Sequence, residues 1–326
     1  MSTYALPARP SLEHLRREAK RLHDELKSQQ PAALARARSH APDLPPTLST
    51  AQRVIAREHG FASWSQLRSL VTRMEAGGVR YDTIGDRYAE YRQAEPRIAQ
   101  AVLAALGDAW TVVNVGAGTG SYEPTDRPVI PVEPSTTMAL QRPGALPPAV
   151  LGVAESLPLA DGSADAAMAV MTMHHWTDFR RGLAEMRRVA RRRVVVMTID
   201  AAVQARMWLF AEYVPQIAAH DREVFPAIGE VLDELGPGTV VTPVPVPRDC
   251  LDGFGLAWWG RPEAALDAGA RAATSGFRWL DDETERAAIG RLAADLRSGA
   301  WDGRHGRLRQ RSDLDVGLRL ITSELA

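Results

Sequence analysis

Apolar residues follow two rhythms along the chain. After Ser11, residues Leu12, Leu15, Ala19, Leu22 and Leu26 recur at three- and four-residue steps, the spacing of one helical face with Ser11 as its cap. Pro31 suits the first position of a second short helix, and Pro42, Pro45 and Pro46 predict a loop. Ser49 or Thr50 is then placed to cap a third helix running to about His59 and ended by Gly60. Ser63 is placed to cap a fourth, with Trp64, Leu67, Leu70 and Val71 facing inward. Beyond Glu75-Ala-Gly-Gly-Val79 the rhythm changes, and the Gly-Gly pair marks the break. A helix over about 88–106 leads into 110–115, a short apolar run stopped by glycine, as in a buried parallel strand. Similar runs follow at 129–133, 150–153, 164–171 and 193–199, with a helix over 179–190 as the clearest separator. Residues 201–235 are helical in pattern and rich in aromatics, and 239–246 and 316–322 add two further strands.

Strands alternating with helices predict a parallel α/β sheet covered on both faces. The organisation expected is a helical module over 1–76 and an α/β domain over 80–326, with a helical lid insertion around 201–235. Charge supports the division. Residues 1–78 carry 12 Lys+Arg and 7 Asp+Glu, whereas the remaining 248 carry 27 against 33. The whole chain of 326 residues has a formal net charge of −1, which argues against a dedicated nucleic-acid binder. Cys250 is the one cysteine, so neither an internal disulfide nor a thiolate zinc site is expected. No apolar run approaches the roughly 20 residues that span a bilayer, and residues 1–10 lack the basic and apolar regions of a signal peptide. A soluble, cytoplasmic protein is the expectation.

The sharpest chemical signal is Val113-Asn-Val-Gly116-Ala-Gly118-Thr-Gly120. A strand that ends in alternating glycines lets the backbone turn tightly and approach a ligand without Cβ interference. Ligands of open α/β sheets sit beyond the carboxyl ends of the strands, where this loop would lie. The spacing G-x-G-x-G is not the dinucleotide fingerprint G-x-G-x-x-G, and taken alone the loop could be an ordinary strand–helix turn. Glu133, 17 residues after Gly116 at the end of the second strand, could accept both hydroxyls of a ribose. Its alternative is a solvated strand terminus. Two further pieces follow: Gly152-Val-Ala-Glu-Ser-Leu-Pro158, then Met171-Thr-Met-His-His-Trp176 at the end of the fourth strand.

In this order the four pieces resemble the class I S-adenosylmethionine-dependent methyltransferases, especially the quinone-biosynthesis branch, over roughly residues 80–200. The resemblance implies a Rossmann-like, mostly parallel seven-stranded sheet with helices on both faces, here preceded by a small all-α N-terminal domain. It also implies S-adenosyl-L-methionine as cofactor and a small-molecule acceptor. Gly116, Ala117, Gly118 and Gly120 would cradle the amino-acid part of the cofactor, and Glu133 would hold the ribose. Pro134 and Ser135 would border the adenine, Ala154 and Glu155 would flank its edge, and Met171 would line the same site. Tyr81, Tyr88 and Arg92 match positions that help close the site, where Arg92 could pair with the methionyl carboxylate. The chain departs from the family pattern twice. Only 12 residues separate Gly116 from Val129, with Pro124 and Pro128 among them, so at most one helical turn fits there. Val153 stands where the family often has Asp to accept the adenine amine, which would leave adenine to backbone groups or to Glu155.

The remaining candidates carry competing readings. His175 could act as a general base near the transferred methyl group, or could shape the floor of the pocket, the role the family suggests for most members. His174 and His175, being adjacent, do not offer metal-ligand spacing, and no metal is expected. Arg187, Arg188, Arg191, Arg192 and Arg193 hint at RNA, but a helix C-terminus explains the cations better. Trp208, Phe210, Tyr213 and Phe225 could line a lid over an apolar acceptor or pack on the sheet, while Cys250, Trp258, Trp259 and Trp279 are simplest as core. The N-terminal segment resembles a short helical module found ahead of other bacterial domains, carried by 11–20 and 54–64; its basic helices allow a partner-binding or dimerising role, or a cover over the cofactor site. The fold could also persist in a binding or regulatory protein without catalysis.

Overall fold

The fold is that of a computed structural model describing residues 11–41, 44–59, 61, 63, 64, 67, 68, 71 and 91–325. The 75–79 junction, Gly60, Leu70, Tyr81 and Tyr88 lie outside the described residues. Two compact units result, one holding the N-terminal helices together with Pro134–Met138, the other the rest of the chain.

The first unit is built on the expected apolar faces. In α1 (Leu12–Lys27) all five residues of the stripe are buried, and Ser11 Oγ caps the helix by accepting from His14 N at 3.4 Å. Helix α2 (Pro31–His40) opens on Pro31. Helix α3 (Leu48–Glu58) starts earlier than expected, because Thr47 rather than Ser49 or Thr50 is its cap, with Oγ1 accepting from Thr50 N at 3.2 Å. Ala51, Val54 and Ile55 of α3 close on the α1 stripe, with Leu67 and Val71 in the same core. A bidentate pair, Arg36 Nε and Nη2 on the two Glu58 oxygens at 2.8 and 2.7 Å, ties α2 to α3.

The second unit is organised by one sheet of seven strands: β1 (Val112–Val115), β2 (Val129–Glu133), β3 (Val150–Leu151), β4 (Ala164–Val170), β5 (Ala190–Ile199), β6 (Val240–Pro243) and β9 (Leu318–Glu324). Their spatial order is β3-β2-β1-β4-β5-β9-β6, parallel except where β9 runs antiparallel to both neighbours. The expected run 239–246 is broken by Pro243 and Pro245, and its end forms β7 (Val246–Pro247), paired with β8 (Asp313–Leu314). Proline cannot donate to a ladder, which is why the run divides.

Side chains alternate across the sheet with period two. Val112, Ala166, Met168, Val195 and Met197 face one core, shared with α4 (Pro96–Leu106) and the aromatic-rich C-terminal half. Val113, Val115, Ala167, Val194 and Val196 face the other, covered by α6 (Phe179–Val189) and α9 (Ile228–Leu235). Shorter helices complete the chain: α5 (Thr136–Leu140), α7 (Ala201–Gln204), α8 (Pro215–Val224), α10 (Ala268–Ala272), α11 (Asp282–Ser298) and α12 (Ala300–His305). No helix among the described residues is long and apolar enough to cross a membrane.

The β1–β2 crossover contains no helix at all, only turns from Gly116 to Pro128. At the opposite, amino-terminal edge of the sheet, Asp165 holds β1 to β4. Its Oδ2 accepts from Trp110 N, Thr111 N and Thr111 Oγ1 at 3.0, 2.9 and 3.0 Å, and Oδ1 pairs with Arg191 at 2.7 Å. Arg191 first, then the Thr111 backbone, holds this carboxyl well below the usual carboxylate range. A depressed carboxyl stabilises the fold above its unfolded value near 4, and that stabilisation is lost as pH falls below it. Asp165→Asn should therefore cost about 1–2 kcal/mol at pH 7 in urea unfolding, a value kept low because Arg191 is half exposed. The gap from wild type should close as the pH is taken below about 4; a gap that stays constant with pH would show that the charge is not responsible.

Candidate active site

At the carboxyl end of β1 the backbone turns through Gly116, Gly118 and Gly120 with φ of 71°, 53° and 97°. Gly116 N and Ala117 N both donate to Val132 O, at 2.8 and 3.0 Å, so the loop curls over the end of β2. Glu133, the last residue of β2, is 4% exposed, and its Oε2 accepts from Gly118 N at 2.8 Å. The bare loop and the acid of the next strand are thus brought together. At Gly116 a Cβ would collide with Thr172 Oγ1, and at Gly120 with the Leu146 side chain. Positive φ and crowding together restrict both positions to glycine.

A buried polar chain that the sequence reading missed supports this loop. Asn114, inside β1, donates from Nδ2 to Glu123 Oε1 at 2.9 Å. Glu123 Oε2 pairs with Arg142 Nη2 at 2.7 Å, with the two side chains only 1% and 3% exposed. Arg142 also donates from Nη1 to Gly118 O at 3.2 Å and from Nε to Pro147 O at 3.1 Å. The one available signal was Asn114 itself, an amide in an otherwise apolar strand, which must find a partner when buried.

The other predicted residues are distributed unevenly around the loop. Pro134 and Ser135 follow Glu133 directly but group with the N-terminal unit, where Ser135 Oγ accepts from Met138 N at 3.3 Å. Ala154 and Glu155 are buried after β3. Glu155 Oε1 accepts from Thr177 N, Thr177 Oγ1 and Asp178 N at 2.6, 2.7 and 3.2 Å. That oxygen fixes the entry to α6 rather than offering itself to an adenine. Met171 follows β4 at φ 53°, a left-handed conformation strained for a side chain of its kind, and donates from its N to Met197 O at 2.9 Å. His174 and His175 share a single 3-10 turn (Met173–His175), with ring centroids 3.8 Å apart. His174 stacks on Phe225 at 4.3 Å, while His175 is half-buried beside it.

Arg92 was expected to meet a cofactor carboxylate; instead its Nε lies 2.5 Å from Asp252 Oδ1. Asp252 Oδ2 accepts from Tyr122 Oη at 2.9 Å, and burial with the Asp252 charge pushes that phenol's pKa up. Nearby, Glu95 is fully buried and accepts from Leu251 N at 2.9 Å, and Gly253 N donates to Tyr91 O at 2.8 Å. Arg92 thus serves to strap residues 91–97 onto 249–253.

The aromatics expected to line a lid divide. Trp208, Phe210 and Tyr213 lie in the core; Trp208 Nε1 donates to Trp259 O at 2.8 Å and Tyr213 Oη to Asp295 at 2.7 Å. Phe225 belongs to the same core and also stacks on His174 of the histidine turn. Cys250, Trp258 and Trp259 are core as expected, and burial pushes the Cys250 thiol up to about 12. Trp279 is not core: it is 54% exposed and lies against His220, because the turn at 275–279 brings it to the surface. No group of three or more His, Cys, Asp or Glu able to hold a metal occurs among the described residues.

The family described as "Methyltransferase domain" matches residues 113–198, from β1 to β5. Among solved structures, a protein of Anabaena variabilis described as a candidate methyltransferase of an antibiotic biosynthesis pathway is 29% identical. That match covers 72% of this chain and 99% of the other, with a TM-score of 0.66. A SAM-dependent methyltransferase of Thermotoga maritima is 18% identical over 78% of this chain and 98% of its own, with a TM-score of 0.42. A geranyl diphosphate C-methyltransferase of Streptomyces coelicolor, solved with S-adenosyl-L-homocysteine, is 17% identical over 71% and 77%, with a TM-score of 0.40. No curated protein matches the chain. Sheet order, glycine loop and matched segment together give this chain a Rossmann-like fold like that of the methyltransferases, with residues 113–198 similar to their domain.

Proposed function

We propose that the protein transfers a methyl group from S-adenosyl-L-methionine to a small-molecule acceptor. The observation that carries this is the Glu133 carboxylate bonded to the glycine loop at the carboxyl edge of the sheet. Such a nucleoside would be held by the loop backbone at Gly116, Ala117, Gly118 and Gly120 at its methionyl part and by Glu133 at the ribose, with Ala154 and Met171 around the base and the sulfonium. With Glu155 Oε1 engaged elsewhere and Val153 apolar, adenine recognition falls to backbone groups of 153–155. The finer likeness to the quinone-biosynthesis branch belongs to the same proposal, as do the division into 1–76 and 80–326 and dimerisation through the N-terminal helices.

When bound, the cofactor supplies an electrophilic methyl on sulfonium, so the chain's contribution is alignment and exclusion of water. Glu133 and the loop fix the nucleoside, and His175 stands on the turn after β4, where it could hold a proton from the acceptor. A second reading, a binding protein on this fold without turnover, is favoured by the crossover that lacks a helix: the loop has no helix dipole behind it.

Calorimetric titration with S-adenosylhomocysteine tests cofactor binding, and a wild-type chain that does not bind it would sink the first reading. Glu133→Ala should weaken binding by about 1–3 kcal/mol; an unchanged affinity would remove Glu133 from the site. Saturable binding without turnover across a broad acceptor panel would favour the second reading. Arg142→Met should cost about 3–5 kcal/mol of stability by leaving Glu123 charged and buried, and adding Glu123→Gln should recover much of it. Urea unfolding of the two variants checks this, and full additivity of the two losses would show that the pair does not act as one unit.

A further inference from the structure

Helix α7 leaves directly from the carboxyl end of β5, capped by Asp200, whose Oδ1 accepts from Ala202 N and Val203 N at 3.1 and 3.3 Å. Its last residue, Gln204, is 3% exposed and donates from Nε2 to Asp221 Oδ2 on α8 at 2.6 Å. Two features of this pair are unexplained by packing. Gln204 Oε1 is buried with no hydrogen-bond partner among the described residues. Asp221 is 7% exposed, and among the described residues it enters no ion pair. A tether between two helices would be made more cheaply by neutral side chains, since burying an uncompensated carboxylate is costly.

The pair is linked to the turn after β4 through Phe225. Phe225 caps the end of α8 one turn beyond Asp221, with Phe225 N donating to Asp221 O at 2.9 Å. The Phe225 ring stacks on His174, two residues after Thr172, whose hydroxyl fills the space beside Gly116. An anionic oxygen and an unfilled amide oxygen side by side offer two acceptors and one negative charge. Their complement is a cation with at least two N–H donors.

We propose that Asp221 and Gln204 form the subsite for a primary ammonium group on the acceptor, an inference that rests on the methyltransferase reading. The nitrogen donates to Asp221 and to Gln204 Oε1, with the apolar remainder of the acceptor along Phe225. One proton passes from the ammonium to the Asp221 carboxylate, leaving a neutral amine with its lone pair exposed and a neutral carboxyl. Burial, partly opposed by the Gln204 bond, pushes the Asp221 carboxyl up to about 6, so it is ionised at pH 7 and can still take a proton. The elements packed against α8 carry Glu212, which pairs with Arg304 and His305, Tyr213, bonded to Asp295, and exposed Arg278. On α8 itself stand His220, Arg222 and Glu223, and none of these charges contributes to the Asp221 shift.

The test uses the full chain saturated with S-adenosylhomocysteine and titrated calorimetrically with 2-phenylethylamine, with uncharged 2-phenylethanol as control. Saturable amine binding is expected, at least tenfold weaker in Asp221→Asn and lost as pH falls through about 6. Unchanged S-adenosylhomocysteine affinity in Asp221→Asn shows that the variant is folded, and the wild-type pH series tests the same charge without a substitution. Equal binding of the alcohol, equal amine binding by Asp221→Asn, or no amine binding by wild type overturns the subsite. Amine binding that depends on Asp221 in a chain that does not bind S-adenosylhomocysteine supports the subsite and overturns the methyltransferase reading alone.

Discussion

A parallel crossover of twelve residues with no helix is the constraint around which the site is built. A helix would satisfy its own backbone and fill the space beside β1. Here side chains do both. Asn114, Glu123 and Arg142 form a buried chain that ends on Gly118 O, and Tyr122 reaches Asp252. Desolvating Glu123 and Arg142 is costly, and their attraction offsets that cost only because Asn114 and the backbone carbonyls take up the remaining donors and acceptors. The shape of the glycine loop is therefore tied to residues 142–147 rather than to a helix following it.

This tie explains which parts of the fold were legible in the sequence. The seven strands of the main sheet were readable because each is a short apolar run, and the want of a helix was readable from the count of residues and from Pro124 and Pro128. Glu133 beside the loop followed from its place at the end of the second strand. The pairing of Arg92 with Asp252 was not legible because the two lie 160 residues apart and no local pattern announces it. Thr47 was missed as a cap because Thr47, Ser49 and Thr50 all suit the role chemically, and only the path of the chain after Pro46 selects among them. Trp279 went wrong for a similar reason: hydrophobicity argues for burial, but the turn's geometry decides which way the ring faces.

The arginine cluster shows how tertiary pairing dissolves an apparent charge patch. Arg188 meets Glu185 and Asp161, Arg191 meets Asp165, Arg192 meets Asp108 and Arg193 meets Glu324, while Arg187 donates to Glu234 O. These contacts lie at the amino-terminal edge of the sheet and lock β4, β5 and α6 in register. Cations contiguous in sequence are thereby divided among acids and a carbonyl drawn from several elements.

Backbone strain gathers at the opposite edge. Among the described residues three non-glycine positions have positive φ: Gln29, Tyr122 and Met171. Gln29 follows the end of α1, where a left-handed residue is ordinary. Tyr122 and Met171 belong instead to the turns after β1 and β4, the two neighbouring strands whose carboxyl ends meet at Gly116. Tyr122 is held through its phenol oxygen by Asp252 and the Glu95 amide, and Met171 by the bond from its N to Met197 O. Such conformations persist only where surrounding contacts over-determine them. Local preference thus yields to tertiary contact at the strand ends where the glycine loop, Glu133 and the histidine turn converge, as expected where a fold gives up local stability to shape a site.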